Sequence, residues 1–532
     1  KRGVEDPELR YRRNSLGREV AAMSIQQRLA SLANEARARS RRVPRRNLMS
    51  VVEKVADIDP LEALARVESL SATDSRVARL SATRMYWTRP VDAFTITGIG
   101  AAETLAPDGA DRFATVDRYW NALVANALVD DPSGGGREAG PVLMGGFAFD
   151  PEGPHSEEWS DFPAASLFIP SLQLLRSASG CWLTTTIVTG DTALTAPTTH
   201  DFDVLARVRD AIVESRSSST SAARTPCETL SLTDIRPASD WRATVRDAVA
   251  AIDAGRIEKV VLAREVRAHA RRDFDPVCAL QQLRESHGTS YVFGYWNGSS
   301  AFIGATPERL VRVDGARVQA SSLAGSVSRG TTPEHDASQA AALLASDKDR
   351  AEHEFVRRAL FTGLARLCDE VTAAETPSLL SLPNVHHLHT AVHARLRSGH
   401  TLLQLVAQLH PTPAVGGEPR NTALRFIREH EGMDRGWYAA PIGWLQRDRG
   451  EFAVALRSAL IRGDDALMFA GCGVVADSDP DQEYAESLLK LRPMEAALAA
   501  ACGPRSSSDS MDEASADQAV DSLAAPCGGA VS

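Results

Sequence analysis

The stretch "GWYAAPIGWLQRDRGEFAVALRSALIRGDDALMFAGCGVVA", Gly436 to Ala476, decides the fold class. Within it "GWYAAPIGWL", "EFAVALRSALIR" and "ALMFAGCGVVA" read as strands joined by short polar turns, the pattern of an antiparallel meander. In the middle segment a period of two puts Ala453, Ala455, Arg457 and Ala459 on one face and Phe452, Val454, Leu456 and Leu460 on the other. The second face is a packing face. The first is lined by small residues around one arginine, which leaves space for an anion that a guanidinium can grip bidentately; an edge strand carrying a surface arginine gives the same pattern.

Downstream, "DSDPDQEYAESLLKL" announces a helix. Asp479 is a good N-cap, Pro480 suits the first helical position, and Gln482 stands three after the cap. At about 100° per residue Glu483, Glu486 and Lys490 share one face, while Tyr484, Leu488 and Leu491 point elsewhere. A solvated face with an i,i+4 pair would look the same. Upstream, "LASDKDRAEHEFVRRAL" puts Asp349 and Glu352 on one face of a second helix. Two helices each offering carboxylates can hold one Mg²⁺ in an oxygen shell, although each acidic pair alone also reads as a charged, solvated turn. Lys259 opens a strand in "EKVVLARE", and Glu308 follows one in "AFIGATPERL". A lysine and a glutamate facing each other could divide base and acid duties, provided burial or nearby cationic charge lowers the lysine's pKa. In "NVHHLHT" the histidines His387 and His389 alternate along an extended segment, not at the helical spacing of a zinc site.

Bulk properties narrow the classes. At 532 residues and 43% hydrophobic the chain can bury a large core. A formal charge of −10, with no basic stripe in the main body, argues against nucleic acid and leaves a small anionic substrate dependent on local positive charge. Seven scattered cysteines without CxxC spacing indicate neither a disulfide framework nor a zinc centre, and point to a reducing, cytoplasmic location. No apolar run has the length of a membrane span, and no GxGxxG or P-loop signature supports a nucleotide fold.

The composition divides the chain into residues 1–50, an arginine-rich extension expected to be disordered or weakly helical; 51–216, a first half with short strands such as "AFTITGIG" and "WLTTTIVTG"; 217–229, a linker or surface loop; 230–502, the catalytic half; and 503–532, a disordered acidic tail. In the second half "SDWRATVRDAVAAIDAG" spaces its apolar residues as a helix that stops at Gly255, with a β-branched strand after it. The expectation is an α/β protein with large antiparallel sheets flanked by helices in one catalytic domain.

Taken together, "KVVLAR", "FIGATPERL", "LAGSVSRG", "DKDRAEHE", "HHLHT", "LHPTPAVGG", "REHEGMDRGWYAAPIGW", "GEFAVALRSALI" and "GCGVVADSDPDQEYAESLLKL" resemble, in family order, the chorismate-utilising enzymes and most closely the isochorismate synthases. "RMYWTRP", "LMGGFAFDP" and "WSDFPAASLFIP" extend the resemblance over roughly Val51 to Cys502. It implies the chorismate-binding fold and Mg²⁺ as cofactor, with Glu352 and Glu486 as direct ligands and Asp349 and Glu483 holding its waters. Lys490 and the metal would meet the substrate's ring carboxylate, with Gly325 and Ser326 lining that side. Arg457, Tyr438 and the N–H of Gly473 would hold the pyruvyl carboxylate, and His387, Thr390 and Ala414 would complete the substrate site. Lys259 resembles the general base that activates water for addition at C2, and Glu308 the general acid for the departing C4 hydroxyl.

Single positions separate related activities. Ala324 stands where some aminodeoxychorismate synthases carry a nucleophilic lysine. Lys259 stands where ammonia-using anthranilate synthases lack the base, so no glutaminase subunit is implied. Ala414 matches isochorismate synthases, whereas salicylate synthases tend to carry threonine. Cys472 departs from the family's usual alanine and reads most simply as a small buried thiol. Salicylate synthase and a non-catalytic chorismate-binding relative are the competing readings. The resemblance leaves open the oligomeric state and whether the product feeds menaquinone, a catechol siderophore or salicylate.

Overall fold

The computed structural model describes residues 24–40, 46–134, 138–189, 199–214, 230–383 and 385–502. Its strands form one continuous network of pairings in which every pairing is antiparallel except that of Asn47–Val55 with Leu128–Asp130. The network branches at the long strand Ala165–Ser177. One edge of that strand pairs with Phe94–Leu105; the other pairs first with Leu143–Phe147 and then with Gly180–Thr189. From Phe94–Leu105 one branch runs through Thr83–Arg89, Tyr291–Asn297, Ser300–Thr306, Ser458–Arg462 and Asp465–Val474 to Lys259–His269. From Leu143–Phe147 the other runs through Pro441–Leu445, Arg449–Val454, Arg309–Asp314 and Arg317–Ser328 to Val385–Leu396. The two halves of the chain are thus interleaved: Thr83–Thr88 pairs with Val292–Asn297, and Leu143–Gly146 with Ile442–Leu445.

The first branch is apolar on both faces, which explains runs such as "YVFGYW". Met85, Trp87, Phe293 and Tyr295 enter the main core with Phe452 and Trp444 of the second branch and with Trp437, which precedes the strand Pro441–Leu445. The alternate residues Tyr86, Val292 and Trp296 enter a second core closed by helices, including Leu491, Met494 and Leu498 of the C-terminal helix Pro480–Ala501. That helix begins as its sequence announces, with the Asp479 side chain accepting from the Asp481 and Gln482 backbone N–H groups. The Asp349 helix, Asp347–Ala365, is capped by Ser346 in the same manner and lies against the strand Arg317–Ser328.

Two expectations need correction. "EFAVALRSALIR" is not one strand with a continuous alternation. It is two strands, Arg449–Val454 and Ser458–Arg462, which pair with different neighbours and belong to different branches. The joint between them holds Arg457 at φ 48, a left-handed conformation that takes it off the row of Ala453 and Ala459. Residues 1–50 are also not a uniformly disordered extension: Ile25–Ser40 is a helix whose Leu29, Leu32 and Ala36 pack on Met49, Val51, Leu128 and Ile187. The leucines recur at helical spacing and bury against the first strand, which outweighs the arginine-rich composition. Residues 1–23, the 217–229 linker and the 503–532 tail lie outside the described residues.

Candidate active site

Where the two branches face each other, a cavity of about 360 Å³ is lined by Glu308, Gly325, Ser326, Asp349, Glu352, His387, Ala414, Tyr438, Arg457, Gly473, Glu483, Glu486 and Lys490, which are thirteen of the fifteen residues singled out from the sequence. Its size falls within the roughly 300–1,000 Å³ range of small-ligand sites. Lys259 stands just behind the wall, fully buried, and its Nζ donates to Glu352 Oε1 at 2.8 Å. Gly473 makes room for this contact, since a Cβ there would lie 2.6 Å from Glu352 Oε1 and 3.0 Å from Lys259 Cε. Thr390 is the exception. It does not line the cavity, and its hydroxyl bonds His353 Nε2 at 2.9 Å, tethering the residue next to Glu352. Its place in "HHLHT" points it into the layer between strand and helix, where Thr390 supports the Glu352 helix.

The acidic pole joins the two capped helices. Glu486 accepts from Lys490 Nζ at 2.7 Å, Glu483 accepts from Ser478 Oγ at 2.8 Å, and Lys348 Nζ lies 3.8 Å from Glu483. Burial and the neighbouring Glu486 push the Glu483 carboxyl up to about 7, and burial followed by the charge of Glu352 raises Asp349. Glu352, Glu486, Asp349 and Glu483 together line this end of the cavity as a hard-oxygen donor set that fits a Mg²⁺-like cation. The charge balance agrees. With Glu308 protonated, four carboxylates stand against the four basic groups of the wall and Lys259 behind it, an excess of one positive charge that falls short of a dianion's two unless a divalent cation is held there. Cys472 is buried beside them, its Sγ 3.1 Å from the Glu483 carbonyl oxygen, and burial raises its thiol well above the usual range.

The opposite pole is built to hold an anion. Arg457 donates from Nη2 to His387 Nε2 at 2.9 Å, so the ring proton sits on Nδ1, which faces Ser326 Oγ at 2.9 Å and the Gly325 carbonyl at 3.3 Å. Burial, and then the Arg457 charge, keep His387 neutral. Burial lowers Arg457 to about 10, and its Nη1 is buried with no acceptor among the described residues. A carboxylate would supply that acceptor. Gly473 lies opposite Val261, whose N–H is turned the other way, toward the Gly416 carbonyl. This is a non-hydrogen-bonded pair, so the Gly473 N–H points away from that strand, at a level beyond the last pairing of Ser458–Arg462 with its neighbour, Ala459 with Met468. Tyr438 stacks on Phe469 with centroids 5.3 Å apart, and burial raises its phenol, which stays a donor.

Glu308 lies in the connection between Ser300–Thr306 and Arg309–Asp314. Its carboxyl is buried and pushed up to about 8 by desolvation, against the opposing pull of Lys259, the nearby Thr412 hydroxyl and Lys490. It is held protonated near neutral pH. The sequence reading gave no role to Lys348, Thr412 or Arg435; all three sit inside quoted motifs, but only the tertiary contacts distinguish them from their neighbours.

The family model for chorismate binding enzymes matches residues 32–499. The chain belongs to that family. It is 39% identical over 450 residues to the salicylate biosynthesis isochorismate synthase of Pseudomonas aeruginosa, covering 84% of this chain and 90% of that protein. It is 34% identical over 459 residues to the isochorismate synthase MenF of Bacillus subtilis, covering 85% and 93%. Among solved structures, the menaquinone-specific isochorismate synthase MenF of Escherichia coli superimposes with a TM-score of 0.67 at 25% identity, covering 86% of this chain and 95% of that one.

Proposed function

We propose that this chorismate-binding enzyme is an isochorismate synthase that converts chorismate to isochorismate, a hydroxymutase reaction within the isomerases. The observation that carries the reading is the joining, at one cavity, of a neutral buried acid, Glu308, with a buried lysine and an arginine whose Nη1 has no acceptor among the described residues, in a chain resembling isochorismate synthases over most of its length.

In the proposed mechanism the pyruvyl carboxylate accepts from Arg457 Nη1, Tyr438 and the Gly473 N–H, while the ring carboxylate lies toward Lys490, Gly325 and Ser326. The Lys259 amine takes a proton from water as the oxygen bonds to C2. Glu308 gives its proton to the C4 hydroxyl as the C4–O bond breaks and the ring double bonds shift. Water in and water out leave the composition unchanged. Glu352 and Glu486, with Asp349 and Glu483 through waters, would hold Mg²⁺, whose positive charge would neutralise the ring carboxylate and stabilise charge developing on the ring. His387 orients Arg457, and Ala414 leaves open a position on the wall. No organic cofactor and no glutaminase subunit enter the scheme. No helix among the described residues is long and apolar enough to cross a membrane. The reading places the enzyme in the cytoplasm, a reducing compartment that suits the scattered cysteines of the chain.

The test is incubation with chorismate and Mg²⁺, without ammonia, followed by chromatography of the products and an EDTA control. Isochorismate that EDTA abolishes, with no pyruvate, is the expected result. Salicylate with pyruvate would move the assignment to a salicylate synthase. Chorismate binding without turnover would leave a non-catalytic relative.

A further inference from the structure

Arg435 and Glu431 form a buried pair at the back of the cavity. Arg435 Nη2 bonds Glu431 Oε2 at 2.7 Å, Nε lies 2.9 and 3.0 Å from the two carboxylate oxygens, and both side chains are almost fully buried. Their remaining capacity goes to backbone groups of two different walls. Arg435 Nη2 donates to the Val261 carbonyl and Nη1 to the Val415 carbonyl, each at 2.8 Å, while Glu431 Oε1 accepts from the Ala263 N–H at 2.9 Å. Val261 and Ala263 are two and four residues after Lys259; Val415 follows Ala414. The Arg435 guanidinium also lies 4.4 Å from the centroid of Phe149, whose carbonyl accepts from His410 at the start of the Ala414 loop. Tyr438 follows Arg435 by three residues, and its N–H donates to the Arg435 carbonyl.

We propose that Arg435, held by Glu431, is a positioning residue that fixes Lys259 relative to the Ala414 loop and Tyr438, so that base and substrate meet at the reacting carbon. This rests on the isochorismate synthase reading. A guanidinium suits the task because its planar fork reaches one carboxylate and two carbonyls in fixed directions at once, and a lysine ammonium cannot. Although Arg435 lines the cavity, at least one hydrogen of each of its three nitrogens is already committed to protein acceptors. It therefore acts through the strand and loop and not as a substrate ligand. A small displacement of the strand carries the amine away from the water it must deprotonate, and such misplacements typically cost about 10²-fold in rate.

The test uses R435K, R435M and E431Q in the full chain with Mg²⁺, compared with the wild type in steady-state kinetics with chorismate. The expected result is a fall in kcat of roughly 10- to 100-fold in all three variants with KM changed less than about threefold. Thermal unfolding tells misfolding from misplacement; R435K and E431Q keep the site occupied by a polar side chain and serve if R435M does not fold. Chorismate affinity is measured by calorimetry on K259A and on K259A/R435K, in which turnover does not interfere. Equal affinities support positioning. Affinity lower by tenfold in the double variant would make Arg435 a substrate ligand and overturn the proposal, as would a wild-type kcat in R435K and E431Q. Full activity of K259A itself would instead sink the mechanism on which the proposal rests.

Discussion

Two ends of one cavity treat the same chemical group in opposite ways. On the connection after Ser300–Thr306, Glu308 is buried with its proton held up to about 8, because desolvation outweighs the pull of Lys259, Thr412 and Lys490. On the helix Asp347–Ala365, Glu352 is also desolvated, yet the charge and hydrogen bond of Lys259 overcome it and leave its carboxyl below the ordinary value. Burial alone does not decide whether a carboxyl is an acid or a ligand. The decisive difference is a direct partner: Glu352 has Lys259 at 2.8 Å, whereas the same lysine acts on Glu308 only through its field. One region is thereby suited to giving a proton and the other to holding a cation.

The largest expected effect removes the proton donor. E308Q keeps the shape but cannot give up a proton, and kcat for isochorismate formation should fall about 10²–10⁴-fold with chorismate affinity nearly intact. K259A should fall as far, and it also strips Glu352 of its counter-charge. Near-normal turnover in E308Q would dissolve the contrast between the two ends.

Next is the cation. E483Q should weaken Mg²⁺ by about 10–100-fold, as loss of a group that orients a metal's ligands usually does, and E352Q or E486Q by at least as much, read by calorimetric titration of Mg²⁺. E308Q should leave the Mg²⁺ affinity close to wild type. A common loss at all these positions would mean that the two ends are not separate.

The pH dependence sharpens the same point. Because Glu308 must carry its proton, kcat should fall about tenfold per unit once the pH exceeds about 8, and a pH–rate profile at saturating Mg²⁺ reads this directly. A rate still rising at pH 9.5 would assign the acid elsewhere.

The smallest effect is on stability. A carboxyl raised on folding gives stability that is fully present below its unfolded value and is lost as pH rises through its folded value. For Glu308 that window runs from its ordinary value of 4.5 to about 8. E308Q should therefore melt at a higher temperature than the wild type at pH 9 and lose this advantage at pH 4.5, by a few degrees in differential scanning calorimetry. No crossover between those pH values would mean that Glu308 is not desolvated.

Much of this was legible in the chain. The helix beginning at Asp479 follows from its cap, and period-two apolar runs give the meander, because caps and alternation are local consequences of backbone geometry. The ordered motifs locate thirteen of the cavity-lining residues, since each sits on an element whose register the local sequence sets. The turn of Arg457 into the left-handed region, the retreat of Thr390 behind the wall and the tie from Arg435 to the Lys259 strand were not legible. Each depends on groups distant in the chain: Arg457 meets His387, Thr390 meets His353, and Arg435 meets Val261. The sequence alone set the identity of the acids, bases and candidate metal ligands and the elements that carry them. Only the tertiary structure decided which carboxyl keeps its proton, because that choice rests on desolvation and on the distance to one buried ammonium, and neither exists until the two branches close over the site.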